Sequence, residues 1–157
     1  MDKVGVGIIG SQFAAHLHLQ NYSALRRSKV EIVALASRDP EHARSAAEKF
    51  GIPHHYDDYR RLLDRKDIHV VDLCVATDHH HTIAVEAARA GKHIICEKSL
   101  TGFFGAGDSI SRPRMMEEAM KNVSAVAEAV QVNRVTFCYA ENFVYAPPVT
   151  KLKSLIK

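Results

Sequence analysis

The sequence opens with a short apolar run, residues 4–9, that stops at Gly10 and is followed by residues 13–27, an Ala- and Leu-containing stretch without Gly or Pro. An unbroken apolar run of this length is too short for a helix and suits a strand covered on both faces. The stretch after the glycine has good helix propensity and begins almost at once. A buried strand, a glycine turn and a helix in immediate succession constrain the chain more than any other feature. Strands of this kind lie in parallel sheets, and parallel strands need crossover helices.

The same unit recurs. Residues 31–36 form a second buried-strand pattern, and Asp39-Pro40 sets a capping carboxylate before a first-turn proline, so that residues 40–50 form a helix ended by Gly51. Residues 52–56 are expected as a short strand, 59–63 as a helical turn, 70–75 as a strongly apolar strand and 79–90 as a helix stopped by Gly91. Residues 92–96 form a further strand, 115–130 a long helix with apolar residues near i, i+3 and i+4, and 135–139 the last strand. This alternation predicts an α/β fold, a doubly wound parallel sheet with right-handed crossovers. Residues 101–114 contain Gly, Ser and Pro and exceed the ~2 to 6 residues usual for such connections, which predicts a mobile insertion.

A chain of 157 residues suits one domain, and 46% hydrophobic with 25% charged residues is ordinary for a globular protein. The formal charge of +3 is spread among acidic and basic residues without a basic block, which argues against nucleic acid as a partner. Neither a run of ~18 apolar residues nor an apolar segment behind a basic N-terminus is present, so no membrane association and a cytoplasmic location are expected. Cys74, Cys96 and Cys138 each lie in an apolar run and form no CxxC pair, so reduced, buried thiols are expected.

In Gly10-Ser11-Gln12-Phe13-Ala14-Ala15 the first turn carries part of a GxGxxG/A pattern, with Gly10 as the first glycine and Ala15 as the small third residue. The second glycine, which lets backbone approach a pyrophosphate, is replaced by Gln12. A helix N-terminus with free N–H groups still favours a phosphate there, while an ordinary tight turn explains the same residues. At the end of the second strand, where Asp or Glu commonly holds a ribose 2′-hydroxyl, stand Ser37 and Arg38. A hydroxyl beside a guanidinium suits a 2′-phosphate and favours NADP(H) over NAD(H). The alternative is that Arg38 is a solvated loop charge beside Asp39 and Glu41.

Ligands of open parallel sheets bind beyond the carboxyl ends of the strands, where strand order reverses. Gly10, residues 76–80 and the Glu97-Lys98 pair are expected to converge there. A lysine at the end of a buried strand can lose proton affinity by desolvation and exchange a proton with a substrate hydroxyl. Glu97 opposes that shift, and taken by itself Lys98 is more simply a solvated loop residue. His79, His80 and His81 are adjacent on a helix and point about 100° apart, so they do not share one ion. His16 and His18 lie on different faces of their helix, and no metal site is expected.

VGVGIIG, Tyr56-Asp57-Asp58-Tyr59 and VVDLCVATDHHHTIAVEAARAGKHIICEKSL together resemble the glucose-fructose oxidoreductase and inositol dehydrogenase family, the Gfo/Idh/MocA type. The most specific stretch is AGKHIICEK, and the resemblance spans nearly the whole chain. It implies a Rossmann domain and an NAD(P)-dependent oxidoreductase that transfers hydride between nicotinamide and a carbohydrate-like substrate, a sugar, cyclitol or related polyol. It implies that Lys98 is the catalytic lysine, that Glu97 lies by the nicotinamide ribose or amide, and that Ala76, Thr77 and His80 flank the cofactor. The dinucleotide turn is then Gly10, Ser11, Gln12, Phe13 and Ala14, and Asn142, within Ala140-Glu141-Asn142-Phe143, faces nicotinamide or substrate. Residues 1–145 would be the dinucleotide domain and 146–157 the start of a linker helix toward the family's C-terminal α+β domain, absent here. The chain alone is then expected to be inactive, and the full-length protein a homo-oligomer. Family members carry Pro-Asn where Ala76-Thr77 stand and proline where Ser99 stands. With Gln12, these departures leave a non-catalytic dinucleotide-binding sensor or degenerate paralogue as the alternative, and a site for S-adenosylmethionine or a mononucleotide as another.

Overall fold

A computed structural model describes residues 3–25, 29–105 and 110–156. Strands β1 (Val4–Ile9), β2 (Val30–Ala36), β3 (His54–Tyr56), β4 (Val70–Leu73), β5 (His93–Glu97) and β6 (Phe137–Ala140) form one all-parallel sheet in the order β3-β2-β1-β4-β5-β6. Helices α1 (Phe13–Ala24), α2 (Pro40–Phe50), α3 (Tyr59–Leu63), α4 (Thr77–Arg89) and α5 (Arg112–Val132) make the crossovers. A 3-10 turn, Asn142–Tyr145, then leads to α6 (Pro147–Ile156).

Two apolar layers explain why the strands read as unbroken hydrophobic runs. On one face Val6, Ile8 and Leu35 pack with Ala15 and Leu19 of α1 and Ala43 and Ala47 of α2. On the other, Ile9, Val71, Leu73 and Ile94 pack with Leu62, Ile83, Ala87 and Val126. Each large side chain fully buried in this way stabilises the fold by ~1.5–3 kcal/mol relative to exposure, so a strand covered on both faces tolerates little polarity.

The cap residues act as expected. Asp39 Oδ1 accepts from the backbone N–H groups of Glu41 and His42, at 2.9 and 3.1 Å, and Gly51 closes α2 at φ 67°. Other boundaries move. α4 begins at Thr77, ahead of the expected residue 79, and α1 ends at Ala24, short of the expected 27, with residues 26–28 outside the described part. The expected insertion 101–114 is shorter than its composition suggested. Ser111 caps α5 by accepting from the Arg114 N–H, and Pro113 sits in the first turn, where a missing N–H costs nothing. Residues 106–109 lie outside the described residues. Lys92 was expected inside β5 but precedes it, buried, with Nζ donating to the carbonyls of Arg65 and Ile68 at 2.7 and 2.9 Å.

Cys74 and Cys96 are buried free thiols as expected, but Cys138 is exposed, because β6 is the edge strand of the sheet. Among the described residues no helix is long and apolar enough to cross a membrane.

Candidate functional site

The strand order reverses between β1 and β4, which places the carboxyl ends of both strands at one crevice. Gly10 makes this geometry possible. It has φ 120°, and a Cβ added there would stand 2.2 Å from the Cys74 carbonyl oxygen, so only glycine lets the turn approach the end of β4. Its N–H donates to the Ala36 carbonyl at 2.8 Å, which fixes the turn to the end of β2 as well.

A cavity of about 670 Å³ opens at this point. Gly10, Ser11, Gln12, Phe13, Ala14, Ser37, Arg38 and Ala76 all line it, so eight of the residues singled out from the sequence meet at one surface. Ser11 is buried, with Oγ 2.8 Å from Ser37 Oγ. Gln12 occupies the N-cap of α1 without a side-chain capping bond, and its amide lies 3.2 Å from His42 Nδ1. The side chain at the missing glycine position therefore runs along the cavity toward α2. The first turn of α1 contains no acidic residue. Its free N–H groups and dipole make that end of the cavity suited to an anion. Arg38 is exposed on the cavity wall, and among the described residues it has no hydrogen-bond or ion-pair partner. The neighbouring Asp39 is occupied as the cap of α2.

Thr77, His80, Glu97, Lys98 and Asn142 do not line this cavity. His80, 1% exposed, lies between two strand ends, its Nδ1 2.8 Å from the Ser99 carbonyl oxygen and its Nε2 3.0 Å from that of Val75. It braces the protein there instead of facing open space. Lys98 is exposed, as a solvated loop residue would be. The Lys98–Ser99 peptide is cis. Thr77 is half-buried at the start of α4, and Asn142 is exposed at the start of the 3-10 turn.

Beside this end of the sheet stands a buried polar cluster that the sequence reading passes over. Asp72, with no exposed surface, lies in the middle of β4. Its Oδ2 is 2.8 Å from His18 Nδ1 and accepts from Tyr22 Oη at 3.0 Å, while Cys74 Sγ donates to its Oδ1 at 3.6 Å. His18 Nε2 in turn lies 3.1 Å from Glu97 Oε1, and Glu97 Oε2 accepts from the Lys98 backbone N–H at 3.1 Å. The hydrogen bond to Asp72 raises the His18 pKa to about 8; burial opposes the rise, and Glu97 adds to it. Burial, with Asp72 nearby, pushes the Tyr22 hydroxyl and the Cys74 thiol well above their usual ranges, so both remain neutral donors. Ligating atoms of His18, Asp72 and Cys74 come within 4.8 Å of one another, but direct hydrogen bonds join them, and we assign no metal. The signal for the cluster was present as a lone acid in the run Val-Val-Asp-Leu-Cys-Val, since a buried carboxylate requires donors.

A family model described as an oxidoreductase family with an NAD-binding Rossmann fold (GFO_IDH_MocA) matches residues 4–132. Levoglucosan dehydrogenase of Pseudarthrobacter phenanthrenivorans is 34% identical over 100% of this chain, which covers 38% of that protein. Inositol 2-dehydrogenase of Salmonella typhimurium is 34% identical over 76% of the chain and is covered over 32% of its length. Among solved structures, a levoglucosan dehydrogenase complex with NADH superposes with a TM-score of 0.82 at 30% identity, covering 99% of this chain and 39% of that one. An NAD-binding oxidoreductase from Klebsiella pneumoniae does so with a TM-score of 0.80 at 26% identity, covering 98% and 38%. The chain thus spans less than two-fifths of the length of the levoglucosan and inositol dehydrogenases it matches.

Proposed function

The chain belongs to the Gfo/Idh/MocA oxidoreductase family, matching its NAD-binding Rossmann domain, and from that premise we propose that it holds the nicotinamide dinucleotide of a dehydrogenase or reductase acting on a sugar, cyclitol or related polyol. The observation that carries this is the cavity at the β1/β4 reversal, where eight residues named from the sequence, on three segments, meet. The relatives named for levoglucosan and inositol support the substrate class.

The residues present fit the group. The N–H groups at the start of α1 hold the pyrophosphate, as anions are held at helix N-termini generally. Ser37 and Arg38 hold a 2′-phosphate, which favours NADP(H); a guanidinium matches phosphate oxygens in a bidentate, charge-assisted way. The NADH complex of the levoglucosan enzyme makes NAD(H) the competing choice. When bound, the dinucleotide supplies or accepts the hydride. Lys98 Nζ gives a proton to, or takes one from, the substrate oxygen, and its exposed position leaves it free to meet a substrate held by further chain. Glu97 orients the nicotinamide ribose or amide. Ala76 and Thr77 flank the nicotinamide side, His80 supports them from behind, and Asn142 faces nicotinamide or substrate. Residues 1–145 serve as the dinucleotide domain and 146–157 as the lead into a substrate domain. α6 buries none of its residues and exposes Leu152, Leu155 and Ile156, apolar surface suited to cover by such a domain.

Titration with NADPH and with NADH, followed by nicotinamide fluorescence and repeated with Arg38→Ala, tests the reading. Tighter NADPH binding that Arg38→Ala abolishes is the expected result. Equal binding that ignores Arg38→Ala would leave NAD(H) as the cofactor. Binding of neither would count against both cofactor readings and the dinucleotide-binding sensor, and would favour a degenerate paralogue.

A further inference from the structure

We propose that His18 is a positioning residue for the reacting end of the site: its imidazole, protonated on both nitrogens, bridges Asp72 and Glu97 and thereby fixes the carboxylate that holds the Lys98 backbone. The inference rests on the assignment of Glu97 and Lys98 to the nicotinamide side made above. Geometry carries it. The two ring nitrogens face two different carboxylates, Nδ1 to Asp72 at 2.8 Å and Nε2 to Glu97 at 3.1 Å. Neither carboxylate offers a proton in its ionised form, so only a ring bearing both N–H groups makes both bonds.

The groups facing His18 favour that state. From β4 comes Asp72, with Cys74 just past its end, and from β5 Glu97; Tyr22, on α1 itself, donates to Asp72. Cys96, on the opposite face of β5, is a further thiol kept neutral by burial, its pKa pushed up to about 12. Two acids thus face one imidazole, with neutral Tyr22 and Cys74 as added donors to Asp72. On deprotonation one bond must be lost. Asp72 is fully buried and Glu97 only partly, so the remaining N–H stays with Asp72 and Glu97 is released. The released carboxylate no longer holds the Lys98 N–H in one place. Because α1 begins at the dinucleotide turn and Glu97 ends β5, this one side chain couples the phosphate-binding end of the crevice to the lysine end.

The test uses this chain without nucleotide. Nitrogen-15 spectra of the His18 ring and of the Lys98 amide are recorded from about pH 5 to about pH 10, a range that spans imidazole titration. The expected result is two protonated ring nitrogens at neutral pH, loss of one with a midpoint near 8, and a Lys98 amide resonance that moves with the same midpoint. In Glu97→Gln the Lys98 response disappears while the His18–Asp72 bond persists. A His18 ring with a single N–H at neutral pH, or a Lys98 amide indifferent to His18, overturns the proposal, and a purely packing role leaves that amide unmoved. The wild-type titration suffices on its own, so a variant that fails to fold does not decide the outcome. Failure of nucleotide binding in the fluorescence experiment would remove the functional reading of Glu97 and Lys98, whereas failure of the ring titration would remove the bridge alone.

Discussion

Ser11 Oγ and Ser37 Oγ lie 2.8 Å apart, so the turn after β1 and the end of β2 meet through two hydroxyls on one wall of the cavity. That contact makes the cofactor choice testable by a single substitution. A carboxylate at position 37 would accept from the Ser11 hydroxyl, offer an acceptor to a ribose 2′-hydroxyl, and repel a 2′-phosphate. Ser37→Asp is expected to shift the ratio of NADPH to NADH dissociation constants at least tenfold toward NADH, equivalent to about 1.4 kcal/mol. Parallel fluorescence titrations measure the ratio; a ratio unchanged by the substitution means that the 2′ position does not sit at Ser37.

Gly10 and Gly51 both have positive φ, but for different reasons. A Cβ on Gly10 would meet the Cys74 carbonyl oxygen at 2.2 Å, whereas one on Gly51 would meet nothing within 4 Å. Gly51→Ala carries only the conformational cost of the left-handed region, about 1–2 kcal/mol. Gly10→Ala adds a backbone clash at the centre of the sheet and is expected to cost appreciably more, at least about 3 kcal/mol. Urea denaturation of both variants checks the order, and equal losses would mean that the β1/β4 approach is looser than the structure has it.

Most of the fold was legible because its signals are local. The Asp39 cap, the Gly51 stop and the two-faced apolar strands depend on neighbours along the chain, and the alternation of strands and helices is enough to predict a parallel sheet. The start of α5 was hidden because Ser111 and Pro113 read as loop residues until their capping roles are seen. Cys138 misleads for a different reason: whether an apolar strand is central or at the edge depends on strand order. The cavity wall of Gly10 to Ala14, Ser37, Arg38 and Ala76 could be named because these residues lie between the end of a strand and the first turn of the following helix. The His18–Asp72–Glu97 bridge could not, since its bonds join residues 54 and 79 positions apart. The sequence shows that Asp72 needs donors but not where they come from.

His18 makes stability depend on pH in a definite direction. Its pKa is raised to about 8 in the fold, above the value of about 6.5 for a free imidazole. The favourable contribution is therefore fully present below about pH 6.5 and is lost as pH rises through about 8. The shift corresponds to at most about 2 kcal/mol, and partial exposure of the ring reduces it toward ~1 kcal/mol. Denaturant midpoints at pH 6 and pH 9 should differ accordingly, and Asp72→Asn should shrink the difference. A stability profile flat across this window in the wild type would contradict the ion pair.

Gln12 decides whether the missing second glycine weakens the dinucleotide site. Its backbone, at φ −94° and ψ −162°, lies in extended space open to any residue, and its side chain makes no capping bond to α1. Glycine is among the favoured N-cap residues, so Gln12→Gly should leave helix stability within a few tenths of a kcal/mol. What the substitution removes is an amide that runs to His42, 3.2 Å away, along the cavity wall. If the side chain obstructs close approach of the turn to a pyrophosphate, Gln12→Gly tightens binding of both NADH and NADPH severalfold, because the pyrophosphate is common to them. His42→Ala separates obstruction from tethering: it frees the Gln12 amide without shortening it, and so should recover less affinity than Gln12→Gly. Calorimetric titration of the variants measures both effects. Unchanged affinity in Gln12→Gly would show that the turn already admits phosphate with glutamine in place, as the orientation of its side chain toward α2 permits.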